Sequence, residues 1–361
     1  MKYFLIILFI LITSSCREEI EKSLPTASVL VGAIRWDGWY KSRDSRALNN
    51  VPIIVEKNLS FPHFLFRVPF FAEINNGQVT MPYITQKAID LEIKLAHNAG
   101  IDYWAYCWYR NDGSGLADAR LMHIKSKYAE DVKLCAMLEN GHFNTDADIA
   151  ALVEDFKRNY YLKVIDERPL VFFFDSNEQT AETISRLREV TIANGISEPY
   201  VAMMGHNDPC YNADKAGADA VSRYVTLGNN CEPFNSLSKR ERLSWDEFRD
   251  KGKEVIPIVT AGWDPRPRIG REPWGMHYCE TCWAETASAE EIALQVKAGI
   301  EWVVKNPKTC IASCILIYAW NEYDEGGWIA PVVQDYQNGL LVPERLNAIS
   351  NIIGKDKQKG R

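Results

Sequence analysis

From about Ser28 onward, apolar runs rich in β-branched and aromatic residues alternate with stretches of helical period. Eight runs read as strands: Ser28–Arg35, Asp102–Trp108, Lys133–Leu138, Pro169–Phe174, Tyr200–Met204, Ala220–Tyr224, Val255–Ala261 and Cys314–Ala319. Between and after them, helical spacing covers Gln86–His97, Leu116–Tyr128, Asp146–Tyr160, Gln179–Ala193, Trp245–Gly252, Ala289–Asn306 and Pro343–Ile353. Gly100 suits a left-handed helix end, and Ser288 with Glu291 reads as a capping box. Strand, helix, strand repeated eight times predicts one α/β domain, a (β/α)8 TIM barrel over residues 28–355, rather than an open doubly wound sheet. The long insertions Trp36–Thr85 and Val225–Ser244 are then expected on the C-terminal face, where loops build active sites. No Gly-rich phosphate loop follows any strand, which argues against a nucleotide enzyme.

The first residues change the picture of where such a barrel works. Lys2, an apolar run from Tyr3 to Ile12 and the small residues Thr13, Ser14 and Ser15 precede Cys16. This reads as a signal peptide, 1–15, ahead of a lipidated Cys16 and a linker, 16–27. The apolar run is well short of the ~20 residues a spanning helix needs. An exported lipoprotein of the bacterial cell envelope is expected, membrane-bound through its anchor only and monomeric. The formal charge of −7 grows by one when Lys2 leaves with the leader, so nucleic acid is not an expected partner. Of the remaining cysteines, Cys279-x-x-Cys282 with His277 has metal-like spacing, but no second such pair exists; an oxidising compartment permits a disulfide, whose pairing the sequence does not fix.

In a barrel the informative positions are strand C-termini, and here they are dense in aromatics and acids. Trp36, Trp39 and Tyr40 follow the first strand, Trp108 the second, Glu139 the third and His206 the fifth. Trp263, Asp264 and Arg268 follow the seventh. The eighth exits into Trp320-Asn321-Glu322-Tyr323-Asp324-Glu325-Gly326-Gly327-Trp328. Glycosidic cleavage commonly needs two carboxyl groups flanking the bond, and Glu322 with Glu325 meet that need on one condition. Along a continuing strand they point to opposite faces; a turn after Asn321 brings their Cβ atoms within about 5–6 Å. Tryptophans 36, 39, 108 and 263 are candidate sugar platforms, Trp108 first among them, and Glu139 and His206 are candidate hydroxyl partners.

These segments together resemble glycoside hydrolase family 99 and the related WbsX-like barrel domains. The likeness runs through Val31 to Tyr40, Gly100 to Tyr109, Arg168 to Asp175 and Gly262 to Arg268, and its most specific part is Asn321-Glu322-x-x-Glu325-Gly326. The resemblance implies an endo-acting, retaining α-mannosidase that needs no metal or organic cofactor. It also implies that Glu322 deprotonates the sugar's 2-hydroxyl, which attacks the anomeric carbon. Glu325 then protonates the leaving oxygen and activates water, Glu139 contacts hydroxyls and Trp108 stacks on sugar. Asn321, Asp264, Arg268 and Trp328 complete the candidate substrate site. The chain departs from the family at Tyr323-Asp324, where an aromatic and a histidine are usual, at Gly327 to Ala330, which lacks the following acid, and at Ile34 to Asp37, which lacks paired tyrosines. A non-catalytic glycan-binding lipoprotein and a WbsX-like glycosyltransferase are the competing readings.

Overall fold

The computed structural model describes residues 29–43, 50–111, 113–139, 141–174, 176–205, 209–271, 273 and 278–357. The leader, Cys16 and the linker lie outside them, as do His206 and His277. Eight parallel strands form the barrel: β1 Leu30–Arg35, β2 Tyr103–Cys107, β3 Lys133–Glu139, β4 Leu170–Phe174, β5 Tyr200–Met204, β6 Ala220–Val221, β7 in two pieces, Glu254–Val255 and Ile258–Thr260, and β8 Cys314–Tyr318. All eight lie within or within a residue of the runs expected from sequence.

The sheet runs from the second piece of β7 through β8, β1 and the strands in order to the first piece of β7. Ile256 and Pro257 join those pieces, so the barrel closes through one strand that pairs with β6 by its first half and β8 by its second. Ile256 N donates to Val221 O (3.0 Å) and Pro257 O accepts from Leu316 N (3.0 Å) at the switch. Proline at this point breaks the ladder because it has no N–H to give. Strands enclosed by helices bury both faces, which is why they read as nearly unbroken apolar runs; β5 and β8 are buried at every position.

The outer ring comprises α2 Gln86–Ala99, α3 Asp118–Lys125, α4 Asp146–Phe156, α5 Thr180–Ala193, α6 Pro209–Ala216, α7 Phe234–Asp250, α8 Ala289–Lys305 and α9 Glu344–Lys357. The Ser288 capping box and the left-handed Gly100 end form as expected. Two helices correct the sequence reading. α6 forms where the sequence reading places no helix, and α7 begins at Phe234 inside the stretch expected as an insertion. Its inner face carries Ser238, Glu241 and Ser244 among Phe234, Leu237, Trp245 and Phe248, and these buried polar residues interrupt the apolar period. They are satisfied: Glu241 accepts from Thr260 N (2.6 Å), Thr226 Oγ1 (2.9 Å) and Gln295 Nε2 (3.0 Å).

The first insertion carries α1 Val51–Leu59, a 3-10 turn at Pro62–Arg67 and a hairpin of Glu73–Asn75 with Gln78–Thr80. It packs over the mouth of the barrel, where Asn58 Nδ2 donates to Asp324 Oδ2 (2.9 Å). Under the mouth, Arg35 of β1 is fully buried and ion-paired to Glu92 of α2 (2.9 Å) and to Asp37 (3.0 Å). Among the described residues, no helix is long and apolar enough to cross a membrane.

Candidate active site

The chain leaves β8 through Ala319 and Trp320 and turns back on itself. Asn321–Glu322 pairs antiparallel with Gly327–Trp328, and a 3-10 turn, Tyr323–Glu325, makes the bend. That bend meets the condition set by sequence, because it swings Glu325 to the side of the strand that carries Glu322. Two glycines let the bend seat against the end of β7. Gly326 has a left-handed backbone (φ 79°), and a Cβ there would lie 2.6 Å from Asp264 N. Gly262, also at positive φ, passes directly under the Gly326 carbonyl. The Asp264 amide donates to Glu325 O at 2.6 Å, closing the seam.

Both glutamates open into a cavity of about 500 Å³ at the C-terminal end of the barrel, within the usual range for small-ligand sites. Arg268 joins them: Nη1 donates to Glu325 Oε1 (2.5 Å), and Nη2 to Glu322 Oε2 (3.3 Å) and Asp324 Oδ1 (2.7 Å). Tyr224 donates to Glu322 Oε1 (3.3 Å). The hydroxyls of Tyr278 and Tyr318 donate to the two oxygens of Glu325. Thus Glu325 sits in a cage of donors, whereas Glu322 has longer and fewer contacts in an equally buried place. Burial first, and then the charge of Glu325, push the Glu322 pKa well above the ordinary glutamate value, against the pull of Arg268. Arg268 stays charged, because Asp324, Glu325 and Glu322 outweigh its burial.

Of the other residues expected from sequence, Trp36, Trp108, Glu139 and Trp263 also line the cavity. Trp108 is 4% exposed, with Phe143 edge-on at 5.2 Å and the Arg120 guanidinium 5.4 Å from its ring. Glu139 is an exposed rim residue, 3.7 Å from His142.

Five candidates do not reach the cavity. Trp39 is completely buried against Trp36 and Tyr323. Tyr40 donates to Glu92 (2.6 Å). Asp264 faces Arg67 and Arg266. Asn321 bonds both the N–H and the carbonyl of Trp36, fixing β1's exit to β8's. Trp328 lies under Arg345, whose guanidinium is 3.6 Å from its ring. Each holds a neighbour of the cavity in place. Residues that the sequence reading passed over are Met137, Phe174, Tyr224 and Tyr278 in the lining, and Tyr318 behind Glu325. Tyr224 and Tyr318 sit in apolar strand runs, where an aromatic reads as core; Tyr278 lies in an irregular loop with no periodic signal.

Cys279 and Cys282 form a disulfide at the cavity's edge. Among the described residues, no group of three or more His, Cys, Asp and Glu side chains is placed to hold a metal ion.

The sequence model of the family described as "Glycosyltransferase WbsX" matches residues 83–341, from the approach to β2 through Glu322 and Glu325. The chain belongs to this family. Among solved structures, the WbsX-family chain is similar to the GH99 endo-alpha-mannosidase from Bacteroides thetaiotaomicron, at 18% identity and a TM-score of 0.53 over 77% of this chain and 81% of that one. A GH99 endo-alpha-mannosidase structure from that organism in complex with BIS-TRIS-propane gives 15% identity and a TM-score of 0.53 over 91% of this chain and 97% of that one. At these identities the likeness establishes a shared (β/α)8 architecture. No curated protein matches the chain.

Proposed function

We propose that this protein is a glycoside hydrolase in which Glu322 and Glu325 act as a pair on a glycan held in the cavity. The observation that carries the reading is the bend at Tyr323–Glu325, which presents both carboxyl groups to one pocket beside aromatic walls. Two carboxyl groups of unequal environment are what acid/base cleavage of an acetal requires. The finer reading follows the family 99 resemblance: endo-acting, retaining cleavage of an α-mannan-like polysaccharide with participation of the 2-hydroxyl, Glu322 as base, Glu325 as acid, and no metal or organic cofactor.

One observation favours the opposite assignment of roles. In the free site burial and the charge of Glu325 favour the protonated form of Glu322, as a general acid requires, while Glu325 accepts hydrogen bonds from a guanidinium and two phenols. A nucleotide-sugar transferase is the less suited alternative. A diphosphate entering here meets Glu322 and Glu325, with Arg268 already engaged by both and by the buried Asp324.

Incubation of the purified protein with α-mannans and other polysaccharides should generate new reducing ends, with and without chelator. Silence across the panel, together with sugar transfer from a nucleotide donor, overturns the proposal. Export and anchoring at Cys16 belong to the same reading. Cys16→Ser should release the protein from the membrane fraction, and unchanged fractionation removes the anchor from it.

A further inference from the structure

We propose that the Cys279–Cys282 disulfide is a clasp that positions Tyr278 on Glu325, so that reducing it weakens the active site without unfolding the barrel. This rests on the glycosidase reading for its kinetic consequence only.

The two ends of the clasp are held differently. On the Cys282 side, Trp263 Nε1 donates to Cys282 O (3.0 Å), Cys231 N to Thr281 O (2.9 Å), Glu232 N to Trp283 O (3.2 Å) and Ala284 N to Trp263 O (2.8 Å). These bonds stitch residues 281–284 to the loop after β6 and to the end of β7. Cys279, on the other side, is exposed and directly follows Tyr278. The Tyr278 ring packs edge-on against Trp263 (5.8 Å), and its hydroxyl reaches Glu325 and lies 3.5 Å from Arg268 Nη1. The disulfide therefore joins the anchored side covalently to the residue that touches Glu325. The ring it closes spans a sequence separation of only 3. A loop that short removes little entropy from the unfolded chain, so its stabilising effect on the fold as a whole is small. Its effect is local, and its exposure leaves it open to a reductant.

Reduction is a two-electron step. A soluble dithiol attacks one sulfur, the S–S bond breaks, the dithiol closes to its own cyclic disulfide, and each cysteine sulfur ends with one proton. Tyr278 then keeps its ring contact and its own hydrogen bonds, while the covalent link from Cys279 to the anchored side gives way to the weaker hydrogen bond from Cys282 N to Cys279 O (3.2 Å).

The test compares wild type, the Cys279→Ser/Cys282→Ser double variant and Tyr278→Phe. Nitration of Tyr278, read by peptide mass mapping, needs no substrate. The ring, nitrated at the carbon beside its hydroxyl, should be slow to react in wild type and severalfold faster in the double variant. On a glycan that the protein cleaves, the double variant should lose about tenfold to a hundredfold in kcat, the scale of one hydrogen bond to a charged group, with KM little changed. In a Tyr278→Phe background the serine changes should add nothing further, because the clasp acts through that hydroxyl. Dithiol treatment of folded wild-type protein should reproduce the loss, and it serves as the decisive arm if the serine variant does not fold. Protected Tyr278 in the double variant, undiminished kcat after reduction, or additive losses with Tyr278→Phe each overturn the clasp. A protein that cleaves no glycan yet shows the nitration change keeps the clasp and loses the glycosidase reading.

Discussion

Replacing each glutamate of the pair by glutamine separates the two assignments of roles, because the side chains keep their shape and lose only the ability to ionise. Two carboxylates that share one guanidinium repel each other, so the charge on one raises the pKa of its neighbour. Glu325→Gln removes that charge. The Glu322 ionisation, raised by burial and by Glu325, should therefore move to lower pH. The pH limb it controls in wild type should move with it. Rates come from two substrates of the same sugar, a glycan assayed by reducing ends and an aryl glycoside assayed by released phenol. The general acid contributes on the order of 10²–10⁴-fold when the leaving group is poor and little when it is good. If Glu325 is the acid, Glu325→Gln loses that factor on the glycan and keeps the first step on the aryl glycoside, while Glu322→Gln loses both. If Glu322 is the acid, the pattern reverses. Full activity of both variants on both substrates refutes the pairing, and an unshifted pH limb in Glu325→Gln refutes the electrostatic argument.

Three further outcomes test the framework around the site. Glu92→Ala leaves the fully buried Arg35 guanidinium with Asp37 as its one remaining ion-pair partner of the two and should cost about 3–5 kcal/mol in urea unfolding; a cost below 1 kcal/mol contradicts the role given to that pair. Burial raises Glu241 to about 7 from the ordinary 4.5, against the pull of its three donors. The folded state thus favours the protonated form. The stability this gives is complete below pH 4.5 and is lost as the pH rises through 7, roughly 3 kcal/mol in all, so Glu241→Gln should flatten that part of a stability–pH curve. Gly326→Ala adds a left-handed strain of about 1–2 kcal/mol to a collision with the Asp264 backbone. It should lower activity more than tenfold in a folded protein, as read by circular dichroism beside the glycan assay, and normal activity removes the seam from the account.

The sequence by itself determined the eight strands, most of the helices and the (β/α)8 order, because strands enclosed by helices must be apolar on both faces and helices must keep a 3.6-residue period. It also marked Glu322, Glu325, Trp108 and Arg268, since polar and aromatic residues at the end of an apolar strand stand out against their neighbours. It missed α6 and the first half of α7, where buried Ser238, Glu241 and Ser244 break the apolar period, the serines satisfied by carbonyls of their own helix and Glu241 by partners distant in the chain. Only the tertiary structure decided how Glu322 and Glu325 face. That depends on Gly326 and Gly262 passing each other at a seam between β7 and β8, residues far apart in sequence. It likewise removed Trp39, Tyr40 and Asn321 from the cavity wall and brought Tyr224, Tyr278 and Tyr318 to the carboxylates. A tyrosine in an apolar run carries the same local signal whether it packs or catalyses; the difference lies in which buried charge its hydroxyl meets, and only packing across strands supplies that.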